Sequence, residues 1–139
     1  MAEAIVRWVG DRQFVGTDST KHSVVMSTQD AQNGTGMSPS QLLLVALGGC
    51  TAIDLVTILE KRREKLTGLD VRVEGEQDKD PPWTYRKIHV SYTLYGSGLS
   101  EESVQRAIHL SEKKYCSVSA TVSGVAELTS SYKIVTAES

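Results

Sequence analysis

Cys50 and Cys116 are the residues of this chain best suited to covalent chemistry, and they stand 66 positions apart. Cys50 closes the triplet Gly48-Gly49-Cys50 inside a strongly helical run. Cys116 stands at a junction, between Lys113-Lys114-Tyr115 and Ser117-Val118-Ser119. Two thiols that a fold brings together can act as a redox pair, one forming a disulfide with the other.

Each thiol also has a reading as ordinary packing. Glycine inside a helix costs about 1 kcal/mol relative to alanine, so Gly48 and Gly49 imply close approach by a neighbouring element. Free cysteine is among the most buried residue types, and Cys50 fits that description as a small core residue. Asp54, one turn after Cys50, disfavours a thiolate if it lies close, and no local residue supplies the cation that activation needs. Cys116 has better local support, because neighbouring lysines and the start of a helical turn both lower a thiol pKa. Lys113 and Lys114 precede it and Ser117-x-Ser119 follows, although Val118 and Val122 weaken the helix.

Zinc is a competing use of these residues. Cys50, Cys116, His22, His89 and His109 are the candidate ligands, yet no CxxC or HxxxH spacing joins them, so no metal and no cofactor is expected. His89 alternates with Ile88 and Val90 and belongs on the polar face of a strand. No phosphate loop, nucleophile elbow or paired-carboxylate motif is present.

The elements that must position the thiols follow from periodicity. Ala4–Val9, Phe14-Val15 and Ser23–Met26 read as a three-stranded antiparallel meander, and Thr28–Met37 as a loop. Ser38-Pro39 is a helix start, with serine as cap and proline at the first helical position. The helix is expected to run from Pro39 to Leu66, about 42 Å at ~1.5 Å per residue, with Gly68 as its stop. Its first half is apolar all round and must be covered on every side, so it either bends or is buried by a second subunit. Leu69–Glu76 and Tyr85–Tyr95 alternate as strands. Ser100 caps a second helix with Glu101 and Glu102 in its first turn, and Ala126–Val135 is a last strand. The order β-β-β-α-β-β-α-β suits an α+β fold with helices on antiparallel sheet, and residues 1–139 are expected to form a single domain.

Composition narrows the function classes. A formal charge of −2 leaves no basic excess to neutralise phosphates, so nucleic acid is not an expected partner. The run Lys61-Arg62-Arg63-Glu64-Lys65 reads as a solvated helix face. Met1-Ala2-Glu3-Ala4 lacks the basic start and apolar stretch of a signal peptide. Leu42–Leu59 is long enough to raise the question of a membrane, but Thr51, Asp54, Thr57 and the glycines favour a buried helix in a soluble protein. A cytoplasmic location follows as an expectation, and there a structural disulfide is rarely maintained.

The segments Ser38-Pro39-Ser40-Gln41-Leu42-Leu43-Leu44-Val45-Ala46-Leu47-Gly48-Gly49-Cys50-Thr51-Ala52 and Lys114-Tyr115-Cys116-Ser117-Val118, with the element order, resemble the OsmC/Ohr family of thiol-dependent hydroperoxide-handling proteins. The Leu-Gly-Gly-Cys form looks like a less characterised branch of that family. The resemblance covers nearly the whole chain and implies an intertwined homodimer with the long cysteine helices at its centre. It implies that Cys50 attacks an organic hydroperoxide and becomes a sulfenic acid, that Cys116 captures it as a disulfide, and that a dithiol reductant restores both.

In the family an arginine from the first strands holds the thiolate, and a glutamate after the helix-opening proline orients it. Arg12 is the best match for the arginine and Arg7 the runner-up; Ser40 and Gln41 stand where the carboxylate is expected. Serine and glutamine can hydrogen-bond a guanidinium but bring no charge, so the arginine is held less firmly. Asp18 and Asp30 are the acidic residues that could substitute. The leading expectation is a thiol peroxidase-like enzyme of oxidative-stress defence; the alternative is a non-catalytic binding or redox-sensing module for a small apolar ligand. A purely structural dimer with inert thiols is the third.

Overall fold

The computed structural model describes residues 1–136. The chain falls into two compact units, Met1–Leu43 and a second beginning at Leu44. In the first, β1 (Ala4–Gly10), β2 (Gln13–Asp18) and β3 (Ser23–Ser27) form the expected antiparallel meander in the order β1-β2-β3. The loop that follows is tied back to β3, where Ser27 N donates to Met37 O and Met37 N donates to Val25 O. The β2–β3 turn and this loop are each closed by a carboxylate. Asp18 accepts hydrogen bonds from the Thr20 and His22 amides, and Asp30 accepts from Gln32 and Asn33. Hydrogen bonds from Thr28 and Asn33 hold Asp30 down to about 2, so both carboxylates are engaged within their own loops.

Helix α1 (Pro39–Lys61) opens where Ser38 caps it, the serine Oγ accepting from the Gln41 amide at 3.4 Å. It ends five residues before the expected Leu66. Its 23 residues span about 35 Å rather than 42 Å. The stop is Arg63, not Gly68: Arg63 takes a left-handed φ of 59°. Its amide bonds Glu60 O and the Glu64 amide bonds Leu59 O, the paired closure that usually carries a glycine. Gly68 lies instead inside β4 (Lys65–Gln77), where the register shifts between Leu66 and Gly68. A Cβ there would stand 3.2 Å from the Tyr95 ring, so the glycine admits that ring against the strand.

The second sheet has the order β4-β5-β6, with β5 spanning Tyr85–Ser97 and β6 spanning Glu127–Thr136. β4 and β5 pair antiparallel as expected, but β6 runs parallel to β5. A parallel pair needs a crossover rather than a hairpin. Residues 98–126 supply it as α2 (Glu101–Leu110), a π-helical turn (Ser111–Tyr115) and α3 (Ser117–Val122). Ser100 caps α2 by accepting from the Ser103 amide.

Alternate residues of β5 (Ile88, Val90, Tyr92 and Leu94) face the core with Leu47, Leu55 and Leu59 of α1 and Val104, Ala107 and Ile108 of α2. α1 is thus two-faced although both faces are apolar: Leu47, Thr51, Leu55 and Leu59 are buried, while Val45, Ile53 and Val56 are exposed. By length and composition α1 could also cross a membrane, but its buried stripe belongs to this core. Gly48 approaches β4, where an added Cβ would meet Val73 at 3.1 Å, whereas Gly49 faces open space. Close approach therefore explains one glycine of the pair.

Leu55 is fully buried at the centre of this packing. Leu55→Ala is expected to cost about 2–5 kcal/mol in urea unfolding; a change under 1 kcal/mol contradicts the core described.

Candidate active site

The crossover exists in the form it does because its π-helical turn is held from two sides. Ser111, which opens the turn, is completely buried, and its hydroxyl donates to Asp54 Oδ2 of α1 at 2.9 Å. Glu112, the next residue, accepts from Tyr92 OH of β5 at 3.0 Å and from Ser130 Oγ of β6 at 3.1 Å. A buried tyrosine must find a partner for its hydroxyl, and Tyr92, 1% exposed, finds it in Glu112. Burial and then the Glu112 charge push the Tyr92 phenol well above its usual range. The turn closes with the Cys116 amide donating to Ser111 O at 2.8 Å, five residues back. Single π-helical turns of this kind are frequent at functional sites.

That closure leaves Cys116 as the cap of α3. Its Sγ accepts the Ser119 amide at 3.2 Å and its carbonyl accepts the Ala120 amide at 3.1 Å. The expected helical turn after Cys116 is therefore present despite Val118 and Val122. Cys116 is 3% exposed, packed in the core of the second unit. The neighbouring lysines are solvent-exposed, and Lys114 Nζ lies 5.3 Å from the centre of the Tyr115 ring.

Cys50 comes to this point from α1. Both cysteines are free thiols, and they are near neighbours: Cys116 and the Val118 amide both act on the Cys50 sulfur. Two successive first-turn amide groups of α3 thus bear on the thiols: that of Ser119 bonds Cys116, and that of Val118 favours the Cys50 thiolate. An amide donor favours the thiolate, but other influences outweigh it at Cys50. Burial raises its pKa most, followed by the neighbouring Cys116 and then by the Asp54 charge. Asp54 acts as its position implied, disfavouring the thiolate, and it has a second task in accepting Ser111.

An open groove of about 560 Å³ begins at Asp54 and runs past Thr57, Ile58 and Leu110 to Lys61 and Arg62, with Tyr115 on its wall. Arg62 is anchored there by donating from Nε to Ser103 Oγ at 3.0 Å. Among the described residues, no three His, Cys, Asp or Glu side chains gather as a metal centre. His89 is on the β5 face turned away from the core, its ring bonded to Thr129 and Ser131 of the neighbouring β6.

Arg12, Arg7, Ser40 and Gln41 lie in the first unit. Arg12 is exposed in the β1–β2 turn, where its amide donates to Asn33 Oδ1 and its carbonyl accepts from the Thr28 amide. Arg7 is in β1 opposite Val15. Ser40 and Gln41 form the first turn of α1. Sequence reasoning missed Ser111, Glu112 and Tyr92. The one available signal was the β5 alternation, which puts a tyrosine hydroxyl on the core face where it requires a partner.

Because the neutral form of Cys50 is favoured, its thiolate fraction is small at neutral pH and grows as pH rises. Alkylation of Cys50 by iodoacetamide, followed by peptide mass spectrometry, should therefore show a midpoint above the ordinary thiol range. Asp54→Asn removes a negative charge that raises the Cys50 pKa and should move the midpoint down; an upward shift contradicts this electrostatics.

Comparison with known proteins agrees with the α+β fold. The OsmC-like protein family matches residues 31–131. Protein YhfA of Escherichia coli K12 is 33% identical over 135 residues, covering 97% of this chain and 99% of its own. The crystal structure of an OsmC-like protein from Mycoplasma pneumoniae superposes with a TM-score of 0.79 at 16% identity, covering 97% of this chain and 96% of that one. OhrB of Bacillus subtilis, an organic hydroperoxide resistance protein, superposes at 0.63 with 17% identity, covering 96% and 98%. With the α+β fold, the two-thiol site and a family match over most of its length, the chain belongs to the OsmC-like protein family.

Proposed function

We propose that this protein reduces organic hydroperoxides through a cycle of its two thiols. The observation that carries the reading is that Cys50 and Cys116 are free thiols close enough to act on each other beside the first turn of α3. Cys50 as thiolate attacks the distal oxygen of ROOH; the O–O bond breaks, Cys50 becomes a sulfenic acid and ROH leaves after taking up a proton. Cys116 then displaces the sulfenic oxygen as water, forming the Cys50–Cys116 disulfide. A small dithiol reductant takes up that disulfide by exchange, becoming a disulfide itself. No cofactor enters the cycle.

Cys50 needs a cation to offset burial and Asp54. Arg12 is assigned that role on the strength of the family resemblance, with Arg7 as runner-up, and Ser40 and Gln41 are assigned to orient it by neutral hydrogen bonds. The groove starting one turn beyond Cys50 carries Ile58 and Leu110, which suits an organic rather than an inorganic peroxide. A non-catalytic module that binds or senses a small apolar ligand is the second reading, favoured by the raised pKa of Cys50 and by the uncharged Ser40 and Gln41.

The assembly proposed is a homodimer in the cytoplasm, without nucleic acid or membrane as partner, in which residues 1–139 act as one OsmC-like domain. Its support is the second apolar stripe of α1: Ile53 is 69% exposed and Val45 51%, a face that a second copy of this helix would cover. Ile53→Lys is expected to convert a dimer to monomers in sedimentation equilibrium; a wild type that is monomeric at all concentrations overturns the assembly.

Mixing reduced protein with cumene hydroperoxide should consume two thiols per chain. Cys50→Ser should abolish the loss, and Cys116→Ser should stop at a dimedone-reactive sulfenic acid. Thiols unchanged at millimolar peroxide would sink the enzymatic reading in favour of the binding module.

A further inference from the structure

We propose that Asp54 and Ser111 are positioning residues for the thiol pair, their hydrogen bond setting how closely Cys116 is presented to Cys50. Ser111 faces two ways. Its buried hydroxyl donates to Asp54 of α1 at 2.9 Å, one turn along the helix from Cys50. Its carbonyl accepts the Cys116 amide at 2.8 Å, closing the π-helical turn that ends at Cys116. One residue thus ties the backbone of the second cysteine to the helix that carries the first.

The linkage is short. Asp54 lies four positions after Cys50 on a regular helix, one side-chain hydrogen bond crosses to Ser111, and one backbone hydrogen bond reaches Cys116. The adjacent Glu112 is fixed independently to β5 and β6 through Tyr92 and Ser130. Loss of the Ser111 bond therefore leaves the turn attached to the sheet but no longer registered on α1. A disulfide tolerates only a narrow range of separation and direction between its two residues, so loosening this register lowers the probability that the sulfurs meet in bonding geometry.

The inference rests on Cys50 and Cys116 forming a disulfide in the proposed cycle, and the test separates the two. Reduced protein is equilibrated in buffers of oxidised and reduced glutathione. Two exchanges oxidise the thiol pair to the Cys50–Cys116 disulfide and reduce one oxidised glutathione to two glutathiones. The effective concentration of Cys116 at Cys50 follows from the ratio at equilibrium.

Ser111→Ala should lower that effective concentration about tenfold, the scale of one buried hydrogen bond. Asp54→Ala removes the same bond from the other end without touching the buried serine and should do likewise. The double variant should add little to Asp54→Ala alone, since the Ser111 hydroxyl acts through that carboxylate. Ser111→Thr, which keeps the hydroxyl, should restore most of the wild-type value. A general loss of stability predicts neither the non-additivity nor the rescue.

A wild type that forms the disulfide while Ser111→Ala and Asp54→Ala match it overturns the inference alone, and so does full additivity in the double variant. A wild type that forms no Cys50–Cys116 disulfide overturns the cycle and the inference with it.

Discussion

The hydrogen bond from the Ser111 hydroxyl to Asp54 is the contact on which the rest of the site depends. α1 carries Cys50 and the crossover between two parallel strands carries Cys116, so nothing in the local chain brings the thiols together. The crossover has to be registered against α1, and an α-helical continuation of α2 would not deliver Cys116 as it stands. The π-helical turn does so by inserting a five-residue closure, Cys116 amide to Ser111 carbonyl, between α2 and α3. Glu112, gripped by Tyr92 and Ser130, holds the same turn to the sheet.

The site balances opposed influences on one sulfur. The Val118 amide draws Cys50 toward its thiolate, while burial, Cys116 and Asp54 draw it toward the thiol. Asp54 disfavours the Cys50 thiolate and accepts the Ser111 hydroxyl at once, which is why its replacement can change two properties in different directions.

Much of this was legible in the residues, for identifiable reasons. β-branched alternation located the strands, Ser38-Pro39 located the start of α1, and Ser100 with two glutamates located α2. The end of α1 was hidden because Arg63 adopts the left-handed conformation that a reader looks for in glycine, while Gly68 serves a ring contact inside β4. The parallel pairing of β6 was hidden because strand alternation carries no direction. The thiols themselves were visible, and so was the electrostatic effect of Asp54. Their alignment was not, since a π-helical turn arises from tertiary anchors at Ser111 and Glu112 that no local pattern encodes.

The family assignment and the geometry bear on different parts of the account. The family match places the chain among OsmC-like proteins, and the fold shows how two distant thiols become neighbours in it. The measurement that tests the central claim most directly is peptide mapping after addition of less than one equivalent of an organic hydroperoxide to reduced protein. The account predicts a Cys50–Cys116 cross-linked peptide formed within one chain, in proportion to the peroxide added. Oxidised Cys50 with Cys116 still a free thiol, or peroxide left intact beside two reduced cysteines, would contradict it.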